Sequence, residues 1–89
     1  MAAHRLTHYT NVMTALARAK GRIVSCDTLL GVMYEGARVP NNPESVLRVV
    51  IHNLRRKLPK DAIVTHPWEG YSLKRTVARR WMRQRSGKL

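Results

Sequence analysis

The sequence has no phenylalanine, a single cysteine and only five acidic residues among its 89 positions. Each shortage excludes something. One cysteine, Cys26, rules out an internal disulfide framework. No base partner accompanies it, so it reads as a small packing residue. Five acids spread singly offer no paired carboxylates, and there is no glycine-rich phosphate loop, so an enzyme is not expected. His4, His8, His52 and His66 are scattered and lack the cysteine or acidic neighbours that complete a coordination shell. No metal and no other cofactor is expected. The scarcity of aromatics argues against a base-stacking platform for single strands. No apolar run is long enough to span a membrane. The opening MAAHRLTHYT lacks the apolar centre of a secretory signal, so the expected compartment is the cytoplasm.

What the chain has in abundance is positive charge. Lysine and arginine total 17, for a formal net charge of +12. A domain with that balance repels itself and attracts polyanions. Nucleic acid is the first candidate partner, and an anionic membrane surface or an acidic protein the second. The length suits one domain with a single small core.

The richest stretch runs from Asn42 to Leu58. Asn42 can cap a helix, Pro43 suits its first position, and Glu44 favours its positive end. Leu47, Ile51, Leu54 and Leu58 recur at steps of four, three and four, which aligns them on one face. The opposite side carries Ser45, Arg48, Val49, His52, Asn53 and Arg56, with Arg55 and Lys57 on the flanks. A helix anchored by aliphatic residues and offering cations, an amide and an imidazole outward is what a DNA major groove accommodates.

The surrounding chain supplies the context. Residues 1–6 read as a lead-in, with Thr7 or Thr10 capping a first helix whose stripe is Tyr9, Val12, Met13, Leu16 and Ala17. Gly21 should stop it. Arg22, Ile23 and Val24 form an extended link in which Ile23 and Val24 bury. Ser25 caps a second helix with the stripe Leu29, Leu30, Met33 and Tyr34, weakened at Gly31 by about 1 kcal/mol relative to alanine. Residues 35–41 are a loop. After the third helix, Pro59 and the Lys60–Asp61 pair enforce a stop. Short extended segments at 62–65 and 71–74 flank a turn at 66–70, where Gly70 is free to take positive φ. Thr76 to Arg85 reads as a fourth helix, with Val77, Ala78, Trp81 and Met82 on one face. The fold class is therefore α+β, mostly α: a winged helix-turn-helix of three helices and a C-terminal β-hairpin wing, over residues 1–75. A basic amphipathic C-terminal helix extends it over 76–89.

These residues resemble the OmpR/PhoB-type winged-helix DNA-binding domain. The resemblance covers Leu6 to Lys74. It is carried by Leu6–Thr7, by GRIVSCDTLL at Gly21 to Leu30, by ESVLRVVIHNLRRKL at Glu44 to Leu58, and by GYSL at Gly70 to Leu73. The resemblance implies that the third helix is the recognition helix and that the hairpin reaches an adjacent minor groove. It also implies that the loop before the third helix can touch RNA polymerase, that two copies can pair on DNA, and that the source is a bacterium or its phage. The sequence departs from the family in four places. The short segment ahead of the first helix is expected to hold neither the family's leading sheet nor its receiver domain. That would make the chain a small stand-alone regulator without receiver-controlled dimerisation. Cys26 stands where arginine is common. Pro67, Trp68 and Glu69 occupy the wing tip in place of the usual arginine. The segment from Thr76 extends past the domain's usual end.

The expected function is double-stranded DNA binding in the service of transcription regulation, in association with the nucleoid. The recognition set is Ser45, Arg48, Val49, His52, Asn53, Arg55, Arg56 and Lys57. Arg48, His52, Asn53 and Arg56 face base edges, Val49 meets a thymine methyl, and Ser45, Arg55 and Lys57 meet phosphates. On the wing, Thr65, His66 and Trp68 are candidates, although Trp68 could instead pack over the hairpin. In the extension, Lys74, Arg75, Arg79, Arg80 and Arg83 could clamp the DNA backbone, contact RNA or an acidic protein, or form a solvated tail, with the clamp favoured, and Lys60 reads as solvated. Two alternatives remain open: a protein-interaction winged helix for an acidic partner such as a polymerase subunit or another regulator, and a nucleoid-type protein without sequence preference. RNA fits a recognition helix less well, because the A-form major groove is deep and narrow.

Overall fold

The structure, a computed structural model, describes the backbone of residues 2–35 and 38–87 and the side chains of residues 8–35 and 38–84. The element order is α1 (Ala2–Arg18), α2 (Cys26–Met33), α3 (Pro43–Lys57), β1 (Ile63–His66), β2 (Gly70–Leu73) and α4 (Arg75–Gly87). Three helices followed by a two-stranded antiparallel hairpin form a winged helix, and α4 is added behind it.

The first helix begins earlier than expected. Residues 2–6 are not a lead-in but its first turns, and Thr7 and Thr10 lie inside it. Ala2, Ala3 and Leu6 are strong helix formers and no breaker precedes Gly21, so propensity carries the helix upstream of both threonines. At the other end the chain turns through Lys20 at φ 52° and Gly21 at φ 92°. The Lys20 amide bonds Ala17 O and the Arg22 amide bonds Ala19 O, which satisfies carbonyls the helix leaves open.

Ser25 caps α2, its Oγ accepting from the Thr28 amide at 3.1 Å. Asn42 occupies the cap position of α3, but its side chain makes no capping hydrogen bond; Pro43 and Glu44 are what mark this start. Leu58 ends α3 in extended geometry, as the proline that follows it favours. Pro59 to Ala62 then turn tightly, with Asp61 at φ 62°.

The core lies where α1, α2, α3 and β2 converge. Val12, Leu16, Leu29, Leu47, Ile51 and Leu73 are fully buried at its centre. On α3 the buried set is Leu47, Val50, Ile51 and Leu54, with Leu58 half-buried. Val50 belongs to the apolar face, one position beyond the expected stripe. Only half of the link between α1 and α2 buries: Val24 is buried and Ile23 is exposed. Val24 is extended and pairs with Tyr71, exchanging N–H···O bonds of 2.7 and 3.0 Å, so its predecessor must point the other way.

This pairing explains the Gly–Tyr that closes the wing. Tyr71 exchanges both backbone bonds with Val24, and Gly70 sits beneath the Val24 carbonyl at φ 143°. A Cβ at position 70 would stand 2.0 Å from Val24 O. Only glycine fits there. The hairpin pairs Ile63 with Leu73 and His66 with Gly70, and the Lys74 amide bonds Ala62 O at its base. α4 packs along α1 through Ala78, which is buried, with Val77 and Trp81 half-buried against the same core.

Candidate nucleic-acid interface

At roughly 100° per residue, Ser45, Arg48, Val49, His52 and Arg56 fall within one band of α3 roughly 100° wide. All five are exposed, Val49 by 56%, although the opposite face is sealed into the core. Ser45 and Arg48 also line a shallow recess with Asn41, Asn42, Pro43 and Glu44 at the helix start.

The remaining members of the expected recognition set sit elsewhere. Asn53 is half-buried, and its Nδ2 donates to the Tyr9 hydroxyl at 2.9 Å. Lys57 lies on the same edge, its Nζ 5.8 Å from the centroid of the Tyr9 ring. Tyr9 thus ties both residues to α1, 44 positions away from Asn53, and no local sequence signal points to it. On the other edge, the Arg55 guanidinium donates to Ile63 O at 3.1 Å and to Thr65 Oγ1 at 2.6 Å. Arg55 and Thr65 therefore tie the end of α3 to β1.

The wing shows the same division. His66 Nε2 is hydrogen-bonded to Ser72 Oγ at 2.8 Å, which orients the ring across the hairpin. Trp68, by contrast, is fully exposed at the tip, with φ 68°. It does not pack over the hairpin and third helix, the commoner of the two placements its sequence position allows. The tight turn, closed by the Glu69 amide on His66 O, throws the indole outward. A left-handed conformation for so bulky a residue costs on the order of 1–3 kcal/mol, so the turn carries strain there.

Lys74, just ahead of α4, and Arg75, Arg79 and Arg80 of α4 divide between two grooves. Lys74 and Arg80 line one of about 530 Å³ with Lys57 and Lys60, floored by Leu58, Val77 and Trp81. Lys60 is thus part of a basic cluster at the C-terminal end of α3, which its position in the sequence does not reveal. Arg75 and Arg79 line a second groove, against the end of α1. Arg83 stands with Thr76, Arg79 and Arg80 on the outer ridge. Among the described residues no three His, Cys, Asp or Glu side chains group as metal ligands, and no helix is long and apolar enough to cross a membrane.

Residues 5–73 match the family model described as "Transcriptional regulatory protein, C terminal". Neither a curated protein nor a solved structure matches the chain. The match begins within α1 and ends with β2, so α4 falls outside it. Fold, recognition-helix pattern and Gly–Tyr wing agree with it: the chain belongs to the family of C-terminal DNA-binding domains of transcriptional regulatory proteins, the OmpR/PhoB type, which bind double-stranded DNA through a winged helix.

Proposed function

We propose that the chain recognises particular duplex sequences, with α3 lying in the major groove. The observation that carries this is the exposed band of Ser45, Arg48, Val49, His52 and Arg56 on a helix whose other face is sealed in the core. Arg48 and Arg56 suit guanine edges, His52 can donate or accept at a base edge, and Val49 suits a thymine methyl. Each good bidentate pair contributes about 1–3 kcal/mol of discrimination. Ser45 contacts phosphate at the helix start. Asn53, Arg55, Thr65 and His66 support the surface by fixing α3 and the wing. Trp68 lies against the sugar–phosphate backbone at the wing tip. Lys57, Lys60, Lys74 and Arg80 neutralise flanking phosphates, with Arg83 beside them. Arg38, Val39 and Pro40, exposed in the loop ahead of α3, are where the polymerase contact implied by the family resemblance would fall.

Selection of bound duplexes from a random pool, followed by anisotropy titration of selected and scrambled duplexes, tests this reading. A recoverable consensus, bound at least about tenfold more tightly than its scrambled form, is expected from one or two base contacts. Equal affinity for both, with a steep salt dependence, would show a sequence-independent coat protein instead.

A further inference from the structure

The second groove has a different character from the DNA-facing surface. It lies between the end of α1 and one side of α4, has a volume of about 440 Å³, and takes no residue from α3 or the wing. Arg75, Arg79 and Met82 recur at steps of four and three and line one wall of it. Arg18 and Lys20 stand opposite, and Ala17 and Ala78 form the floor. All four cations are exposed, and among the described residues no acid lines the groove.

Two details shape what could fill it. Met82 is 42% exposed between the arginines, and a flexible thioether within a basic rim is a common feature of protein-binding surfaces. The stem of Arg75 lies against Gly21, its Cγ 2.6 Å from where a Cβ of Gly21 would be, in space that the glycine leaves open. A phosphate backbone would satisfy the cations but would offer nothing apolar to Met82, the exposed apolar side chain of the groove. An acidic segment bearing apolar side chains satisfies both. The volume falls within the roughly 300–1,000 Å³ of typical ligand clefts.

We propose that the α1–α4 groove is a docking site for an acidic, amphipathic peptide segment of a partner protein. Arg18, Lys20, Arg75 and Arg79 pair with its carboxylates, and Met82 covers its apolar side chains. The site is separate from α3, so it can be occupied while DNA is bound, and it does not depend on the DNA-reading assignment above.

The test uses the full chain and a fluorescein-labelled helical peptide with glutamates along one flank and leucines along the other. A glutamate-only peptide of equal charge is the control. Anisotropy should show tighter binding of the amphipathic peptide. Arg75→Glu with Arg79→Glu should weaken that binding at least about tenfold, roughly 1.4 kcal/mol, whereas Arg48→Ala should leave it unchanged. Amide shifts on titration should centre on Arg18, Lys20, Ala78 and Met82, a reading that needs no variant to fold. Equal binding of the glutamate-only peptide, or shifts centred on α3, would overturn the proposal. So would unchanged peptide affinity in the double variant, or displacement of the peptide by duplex DNA at saturation of α3.

Discussion

Single residues decide which side chains of α3 stay exposed and which are committed to the fold. Asn53 looks like an adenine reader in the sequence, yet its amide is engaged by Tyr9 at the margin of the exposed band. Asn53→Ala should therefore lower stability by about 1 kcal/mol, the usual contribution of one part-buried hydrogen bond. Its effect on the ratio of affinities for selected and scrambled duplexes should be small; denaturant unfolding and anisotropy together check both statements. Gly70 is the converse case, because its backbone leaves no choice of side chain. Gly70→Ala would drive a Cβ onto Val24 O at positive φ, breaking the bridge that seats the wing. A loss of at least about 2 kcal/mol is expected, which for a domain of this size lowers the melting temperature by roughly 10 °C. Calorimetry or thermal circular dichroism reads it directly.

At the level of elements, the helices differ in how they are secured. α2 is short, capped by Ser25 and interrupted by Gly31, which faces solvent with nothing within 4 Å of a built Cβ. Gly31→Ala should raise stability by about 1 kcal/mol, measured as a higher denaturant midpoint with an unchanged slope. The element boundaries follow largely from local chemistry: Ser25, Pro43, Pro59 and Gly70 each announce one. The fate of the side chains does not. That Arg55 reaches Thr65, that Tyr9 holds Asn53, and that Lys60 joins Lys74 and Arg80 depend on how separate elements meet. The start of α1 departs from expectation for a different reason: Thr7 and Thr10 are plausible caps, and the helix propensity of Ala2, Ala3 and Leu6 outweighs them. In α3, a stripe counted through Leu47, Ile51 and Leu54 passes over Val50, which lies on the same face, one turn before Leu54, and is also buried.

For the whole molecule, a net charge of +12 on one small domain makes any polyanion attractive, so affinity alone identifies nothing. What separates the surfaces is their response to sequence and to salt. Lys74→Ala with Arg80→Ala removes two cations from the groove at the foot of α3. The slope of log affinity against log salt should become shallower by about 0.9 for each phosphate no longer neutralised, alike for every duplex. The family membership is legible in the sequence because the recognition-helix pattern and the Gly–Tyr wing are local motifs. The exposed band of α3 is legible too, whereas the two basic grooves are not, since they arise where α4 meets the rest of the fold. The most direct measurement of the central claim is the ratio of affinities for the selected and scrambled duplexes in the variant Arg48→Ala, His52→Ala. If α3 reads bases, that ratio falls by about tenfold or more, mainly through weaker binding of the selected duplex. A parallel decline for both duplexes, leaving the ratio unchanged, would contradict the account and make α3 a phosphate-binding helix.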